Sequence, residues 1–493
     1  MTSLTTKNKL SLVVLFFSTI LSLLVLVEYN GSKILYLTFS FISFCFLIFQ
    51  LRKNSIFFDN FMGIFFWLGF WFNFSLKIKL KNIFPNGYRD FKYWFSDGVG
   101  SFDFSSTSID KALTLCILSF AAISLASFIR EKFFVYEKNY ISNCEEKFYK
   151  KNKNLILYFF FLSIVVFSIL NFEFQIYQRG NINEYGFFLN YSFTFLFFIL
   201  LPTLTTMIIN YEFHTSKSLI ISFLASILES FLNSYSILSR NFLFNPLSNI
   251  LGLFKLNDEK KKFKNNKIFY FLIIVLIFFI ISVVLVTKKR NEFETNNINK
   301  NQIELTSQNT NQKNKNLITN STDSLDKLFR ILISRLIGIE GVMAVSSSDK
   351  LGFKLFFSAI KEKFIRGENS FYDNFKNEKR TTKECARDNY SKDNCIINSV
   401  SLMGIVAFLY YSGSYIFLFF SLLIICLFCS FIEFIGYKAS NNIIFCALIS
   451  QILSYRLLHF GYLPLNSYKL LLSICIIFFL IYLSRKIILK IYD

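Results

Sequence analysis

Residues 267–290 read KIFYFLIIVLIFFIISVVLVTKKR, and this stretch decides the fold class of the chain. The run 268–287 contains no charged residue, and lysines precede and follow it. A helix rises about 1.5 Å per residue, so a run of this length crosses the roughly 30 Å of hydrocarbon in a bilayer. Because a helix satisfies its own backbone polar groups in lipid, the run predicts a transmembrane helix.

Comparable apolar runs recur along most of the chain. They cover about 10–28, 33–50, 56–77, 110–129, 154–171, 186–210, 217–238, 241–256, 268–287, 414–434, 442–460 and 467–485. Charged residues make up 17% of the chain, against about 25% in soluble domains. We therefore predict an all-α polytopic membrane protein of about twelve transmembrane helices, with one large periplasmic loop that contains amphipathic helices.

The net charge of +21 is concentrated in short loops between the apolar runs, which indicates membrane topology and contact with membrane lipids rather than a nucleic-acid partner. Placing all basic loops in the cytoplasm requires an even number of membrane crossings between each basic loop and the next. This holds only if 241–256 crosses, although that run is short and contains Pro246. Both termini are then cytoplasmic. The first run lacks a small-residue cleavage site and is interpreted as a retained helix.

This topology predicts three parts: a bundle of about nine helices over 1–287, a periplasmic loop over 288–413, and about three helices over 414–493. Within the loop, polar composition predicts a flexible segment at 291–323. Helical spacing of leucines predicts an amphipathic helix over 325–336. The apolar stretch 403–411 is half a membrane span long, which indicates a surface-lying or re-entrant helix.

Two cysteines of this loop, Cys385 and Cys395, are separated by ten positions. Such a spacing in an oxidising periplasm favours a disulfide between them. Two free thiols are the alternative.

Arginines on the predicted outward side are the candidates for binding an anion. The positive-inside rule depletes arginine from short outward loops, so Arg179 and Arg240 call for a reason. A guanidinium suits phosphate because its fork matches two oxygens. Arg330 and Arg335 lie in the large loop, where Arg335 is the better candidate because it precedes a predicted bend at Gly338–Gly341. Anchoring in lipid headgroups is the alternative role.

Polar residues also follow one face of the seventh predicted helix. Glu229, Asn233 and Ser236 recur at helical spacing and lead to Arg240. They predict either one wall of a polar cavity or a hydrogen-bonded seam between helices. Candidates for a catalytic base are Glu340 and His459. The sequence has no phosphate-binding GxxxxGK[ST] loop and no metal-ligand cluster, so we expect no nucleotide, metal or other cofactor.

The layout resembles bacterial O-antigen and capsule polymerases of the Wzy type, whose fold is akin to that of O-antigen ligases. The resembling pieces are GSFD at 100–103, YQRG at 177–180, SR at 239–240, SRLIGIEG at 334–341, SLMG at 401–404 and YSG at 411–413. The resemblance implies that undecaprenyl-pyrophosphate-linked glycans are joined at the periplasmic face with release of the lipid pyrophosphate. It also implies that Arg179, Arg240 and Arg335 hold the pyrophosphates, and that a chain-length regulator protein is a partner.

Other functions remain open at the level of sequence. An O-antigen ligase usually offers a loop histidine, and this outward loop has none. A lipid-oligosaccharide flippase predicts pseudo-symmetric halves and short outward loops, neither of which is visible. A structural or sensory membrane protein is the remaining class.

Overall fold

The computed structural model contains only helices in the residues that it describes. These residues are 6–52, 57–83, 105–134, 141–178, 187–216, 218–239, 241–260, 262–263, 265–306, 338–348, 351–361, 404–458, 460 and 464–492. The helices are α1 (Thr6–Leu26), α2 (Lys33–Arg52), α3 (Phe57–Phe66), π1 (Trp67–Phe72), α4 (Asn73–Ile83), α5 (Ser106–Phe133), α6 (Asn143–Phe174), α7 (Phe187–Phe195), π2 (Leu196–Leu200), α8 (Leu201–Thr215), α9 (Ile220–Ser236), α10 (Phe244–Lys260), α11 (Asn265–Thr306), α12 (Ile339–Ser346), α13 (Phe353–Ile360), α14 (Gly404–Tyr410), α15 (Tyr415–Ser440), α16 (Ile443–Leu458) and α17 (Pro464–Tyr492).

Eight helical stretches in the described part of the chain are long and apolar enough to cross a membrane. They are Lys33–Leu51, Phe57–Lys79, Ser106–Phe133, Asn143–Phe174, Phe188–Thr215, Lys267–Arg290, Tyr415–Ser440 and Ser467–Tyr492. Val14–Leu26 and Ile443–Leu458 are shorter apolar helices. The predicted class of a multi-pass helical membrane protein is thereby confirmed.

The described helices belong to two compact units. Unit 1 comprises Met1–Val135, Asn320–Ile432 and Ile452–Leu470, and unit 2 comprises Tyr136–Thr319, Glu433–Gln451 and Leu471–Asp493. The division predicted at 287/288 and 413/414 is one of membrane topology, which compact units do not test, and it stays a prediction. Parts of the predicted loop belong to unit 1, and the last three helices contribute residues to both units.

Aromatic rings fill the interior of unit 1. The Phe120 ring lies 4.7 Å from that of Phe46 and 6.0 Å from that of Phe39, centroid to centroid. The loop helices α12 and α14 pack against each other and against α5, and all their residues are buried. The helix predicted at 403–411 is therefore packed inside unit 1, and its position at the membrane surface or as a re-entrant helix stays a prediction.

The predicted bend in the loop is confined to Gly338. Its φ of 151° lies in the region that favours glycine, and a Cβ there would lie 3.2 Å from the Phe70 ring and 3.0 Å from Leu458. Helix α12 begins at the next residue, so Gly341 is helical rather than part of a bend.

The prediction of a flexible segment is wrong for 291–306, because α11 continues without a break to Thr306. That prediction rested on composition alone, because a polar segment can bury little apolar surface. A helix already nucleated in the membrane span gains one hydrogen bond for each residue added, so its extension does not require new apolar burial. Residues 307–323 and the predicted amphipathic helix over 325–336 lie outside the described residues.

Unit 2 packs α6, α8 and α9 around a shared apolar core. Its buried members come from all three helices and from π2: Phe160, Ile164, Phe197, Leu201, Ile208, Ala225 and Ile237. Helices α10 and α11 pack against each other and against α9. This packing gives unit 2 two ends, which differ in their chemistry.

Candidate functional site

One end of unit 2 is held by ion pairs, and we call it the Lys153 end. Lys153 Nζ lies 2.6 Å from Glu212 Oε1, and the Tyr149 hydroxyl donates to the same oxygen over 2.7 Å. Arg485 Nε donates to Glu145 Oε1 over 2.8 Å. These contacts join the start of α6 to the ends of α8 and α17.

The other end is organised by one buried amide, and we call it the Asn171 end. Asn171 Nδ2 donates to the carbonyls of Tyr177 (3.1 Å) and Ser236 (3.0 Å), and its Oδ1 accepts from the Tyr177 N–H (2.8 Å). Arg290 Nε donates to the Leu238 carbonyl over 2.7 Å, and Arg290 Nη2 donates to the same oxygen. Three segments therefore meet at this end: the backbone after α6, the end of α9 and the start of the polar part of α11.

The separation of the two ends matches a membrane. Lys153 and Asn171 are 18 positions apart on the single helix α6, which corresponds to about 27 Å. The chain segments that follow α6 and α9 lie at one end, as does Arg290. This agrees with the predicted topology, which puts the loops after the fifth, seventh and ninth helices on one side.

Helix α10 also runs between the two ends. It begins five residues after Ser239, whose N–H donates to the Ser234 carbonyl at the Asn171 end. It finishes just before Lys262, whose Nζ donates to the carbonyls of Phe213 (2.5 Å) and His214 (2.8 Å) at the Lys153 end. The short run 241–256 thus leads from the Asn171 end to the Lys153 end, although α10 is not among the helices that are long and apolar enough to cross a membrane, and its crossing stays a prediction.

Glu229 lies about two turns below the Asn171 end, on the polar face predicted from sequence. Its side chain is fully buried and accepts from Ser230 Oγ (2.9 Å), Asn233 Nδ2 (3.2 Å) and Asn245 Nδ2 (3.4 Å). The predicted polar stripe therefore continues onto α10 through Asn245, a residue that the sequence did not assign to it. Ser236, the third predicted member, is buried and bonds the Asn233 carbonyl over 3.3 Å.

Helix π2 supplies a carbonyl acceptor to the polar face of α9. A π turn leaves carbonyls offset from the regular α-helical pattern, and Asn233 Nδ2 donates to the Phe197 carbonyl over 2.7 Å. The side-chain oxygens of Asn233, Asn241 and Asn249 are buried without a hydrogen-bond partner among the described residues. The α9–α10 face thus combines satisfied donors with acceptors that water or a polar ligand would satisfy.

Glu340, the candidate base in unit 1, is held by several donors. Its carboxylate accepts from Asn73 Nδ2 (2.8 Å) and the Gly338 N–H (3.2 Å), and Lys77 Nζ lies 3.3 Å away. The group is buried. A carboxylate engaged in this way anchors α12 to α4, which favours a structural role over proton transfer.

The other predicted site residues lie outside the described residues. They are Arg179, Arg240, Arg330, Arg335, His459, Cys385 and Cys395. Their roles and the disulfide stay predictions. Asn171 and Arg290 are the residues that sequence reasoning missed. The basic cluster Lys288-Lys289-Arg290 after an apolar run was a usable signal for Arg290, whereas nothing in the sequence distinguishes Asn171 from other asparagines.

A large cavity in the described part of unit 2 lies away from this site. It is an apolar crevice of about 790 Å³ between α6, α8 and α17, at the Lys153 end. We base the candidate site on the Asn171 end because the convergent polar groups are there, and we treat the crevice separately below.

Comparisons with known proteins give no relative for this chain: no family model matches it, and neither a curated protein nor a solved structure does.

Proposed function

We propose that this chain is a polysaccharide polymerase that joins undecaprenyl-pyrophosphate-linked oligosaccharide units at the periplasmic face of the bacterial inner membrane. Its partners are the lipid-linked glycans, membrane lipids and a chain-length regulator protein. The proposal includes twelve membrane crossings, cytoplasmic termini and an outward-facing Asn171 end.

One observation carries the proposal. Asn171 hydrogen-bonds the backbone of both Tyr177 and Ser236, and Arg290 holds Leu238. The two chain segments that lead into Arg179 and Arg240 are thereby joined at one end of unit 2. The guanidinium groups of the two arginines that follow these joined segments suit a pyrophosphate, because a pyrophosphate offers oxygens for several charge-assisted hydrogen bonds.

The proposed reaction is a glycosyl transfer. A hydroxyl oxygen at the free end of a new lipid-linked unit attacks C1 of the growing chain's reducing-end sugar, and the bond from C1 to the pyrophosphate oxygen breaks. The lipid pyrophosphate leaves with the bonding electron pair. Arginines offset the negative charge that develops on it, and such electrostatic stabilisation is usually the largest catalytic contribution. The activated substrate supplies the driving force, so no nucleotide is consumed.

A base takes the proton of the attacking hydroxyl. The sequence candidates are Glu340 and His459. The Glu340 carboxylate is engaged by Lys77 and Asn73, which hold α12 against α4. His459 is therefore the better of the two.

The test replaces Arg240 and Arg335 by alanine, one at a time, and measures the length distribution of surface glycans together with the amount of protein in the membrane. We expect long chains to disappear and single units to remain at normal protein abundance. Arg→Lys should restore part of the activity, because lysine keeps the charge but loses the bidentate fork. Arg52→Ala is the control, since the charge pattern assigns Arg52 to the opposite side. Full-length polymer in both alanine variants would overturn the arginine assignment.

The same experiment separates the alternatives. Loss of a ligase would leave polymer stranded on the lipid carrier. Loss of a flippase would leave no surface units at all.

A further inference from the structure

The apolar crevice of unit 2 has about the length of one membrane leaflet. Its walls run from Leu200, at the end of π2, to Tyr211 on α8 and from Ile477 to Ile488 on α17. Each of these stretches contains 12 residues and rises about 16 Å, which is close to half of the roughly 30 Å hydrocarbon thickness. A volume of about 790 Å³ lies within the range of ligand cavities.

The walls are open to the surroundings of unit 2. Leu155, Phe159 and Leu204 line the crevice and are among the exposed large apolar side chains. A molecule that fills the crevice would therefore reach it from the side, as a membrane lipid does.

The two extremes of the crevice differ in polarity. The part of the crevice nearer the middle of unit 2 is lined by apolar side chains such as Phe160, Leu200 and Ile477. The part nearer the Lys153 end is lined by Tyr149, Tyr211 and Arg485. Arg485 donates from Nε to Glu145 and from Nη1 to the Ala439 carbonyl, and its Nη2 has no hydrogen-bond partner in the described part of the chain. One nitrogen of a permanently charged group is thus left to bind a ligand.

The charge near the Lys153 end of the crevice is positive on balance. The segments 141–163 and 477–492 contain seven basic and two acidic side chains, and Glu212, which pairs with Lys153, adds a third acidic one. Of these side chains, Arg485 and Glu145 line the crevice. Basic pockets between transmembrane helices are typical binding sites for anionic headgroups.

We propose that this crevice binds an anionic phospholipid, with the phosphate beside Arg485 and the acyl chains along α6, α8 and α17. The polyprenyl tail of the carrier is a poorer occupant, because its pyrophosphate belongs at the opposite, Asn171 end under the proposed function. The lipid site itself does not rest on the polymerase activity.

The test uses the purified full-length chain with dioleoyl phosphatidylglycerol and dioleoyl phosphatidylcholine, which share acyl chains and differ in headgroup charge. Lipid retention is measured by native mass spectrometry, and the thermal midpoint is measured with each lipid added. We expect apparent affinity for the anionic lipid to exceed that for the neutral lipid about tenfold. The double variant E145Q/R485Q, which removes both charges of the pair together, should lose about that factor.

Two matched controls accompany it. Lys486→Gln removes a neighbouring positive charge that does not line the crevice and should change the preference less than about twofold. Leu204→Trp fills the crevice and should abolish retention of the anionic lipid, whereas Leu285→Trp, at a similarly exposed leucine of α11, should not. Equal binding of the two lipids by the unaltered chain, full retention by Leu204→Trp, or displacement of the bound lipid by undecaprenyl phosphate would overturn the proposal.

Discussion

Two carboxylates of unit 2, Glu212 and Glu229, are both fully buried, yet their partners differ in kind. Glu212 is paired with Lys153 and hydrogen-bonded by Tyr149. Glu229 receives hydrogen bonds only from neutral side chains among the described residues. A buried carboxylate is stabilised far better by a cation than by neutral donors. The burial of Glu212 is therefore explained by its ion pair at the Lys153 end. The burial of Glu229 has no such explanation, and its setting among neutral polar side chains fits a wall of the proposed site.

The largest effect should come from breaking the ion pair at the Lys153 end. Lys153→Met leaves the Glu212 carboxylate buried without its cation. Removing one partner of a buried pair costs about 3–5 kcal/mol, and exposed pairs contribute about 0–1 kcal/mol. The Lys153 side chain is 31% exposed, so we expect a loss of about 2–3 kcal/mol in SDS unfolding of the purified protein.

Lys150→Met is its matched control. Lys150 pairs with Glu146 one turn away on the same helix, and its side chain is 58% exposed. This pair should contribute no more than about 0.5 kcal/mol. Equal losses in the two variants would show that burial does not distinguish the pairs.

The next effect concerns the Asn171 end. Asn171→Leu removes the two donors to the Tyr177 and Ser236 carbonyls and the acceptor of the Tyr177 N–H. An unsatisfied buried group costs about 1–3 kcal/mol, and Tyr177 is partly accessible to water, so we expect about 2 kcal/mol. Polymer length should fall more than protein abundance does, because the segments leading into Arg179 and Arg240 separate.

Asn152→Leu controls for the loss of an asparagine side chain on the same helix. Its Nδ2 donates to the Phe148 carbonyl and to the Tyr492 hydroxyl at the opposite end. We expect normal polymer length in this variant. Shortened chains there would mean that the Asn171 effect is a general consequence of weakening α6.

These residues also show how far the sequence alone could lead. The membrane helices were predictable because their signal is local: an apolar run such as 268–287 contains its own evidence. Asn171 and Arg290 were not, because their partners are 65 and 52 positions away. Glu340 was a candidate base as an acidic residue of the outward loop near the predicted amphipathic helix, but its contact with Asn73, 267 positions away, is visible only in the folded chain.

A smaller effect is expected from Arg290→Lys. Arg290 uses Nε and Nη2 on one acceptor, the Leu238 carbonyl, and Leu238 itself has a positive φ of 56°. Lysine keeps the charge but cannot reproduce the fork, so we expect a loss of about 1 kcal/mol in SDS unfolding and a partial reduction of polymer length. Lys289→Arg, at a half-buried neighbour paired with Glu292, keeps the charge and should change neither measurement.

The smallest effect on stability should come from Glu229→Gln, and it bears most directly on the contrast with Glu212. Glutamine keeps a carbonyl oxygen that can accept from Asn233 or Asn245, and it removes a charge that no described cation balances. Replacing a buried charge by a neutral isostere avoids its desolvation cost, so the free energy of unfolding should change by less than about 1 kcal/mol in either direction. Glu212→Gln, which leaves Lys153 and Tyr149 without the carboxylate, should destabilise more.

If Glu229→Gln also leaves polymer length normal, the carboxylate serves only the helix seam. If it shortens the polymer while stability is unchanged, the polar face of α9 belongs to the substrate site. A loss of stability as large as that of Lys153→Met would show instead that Glu229 is ion-paired by a residue outside the described part of the chain.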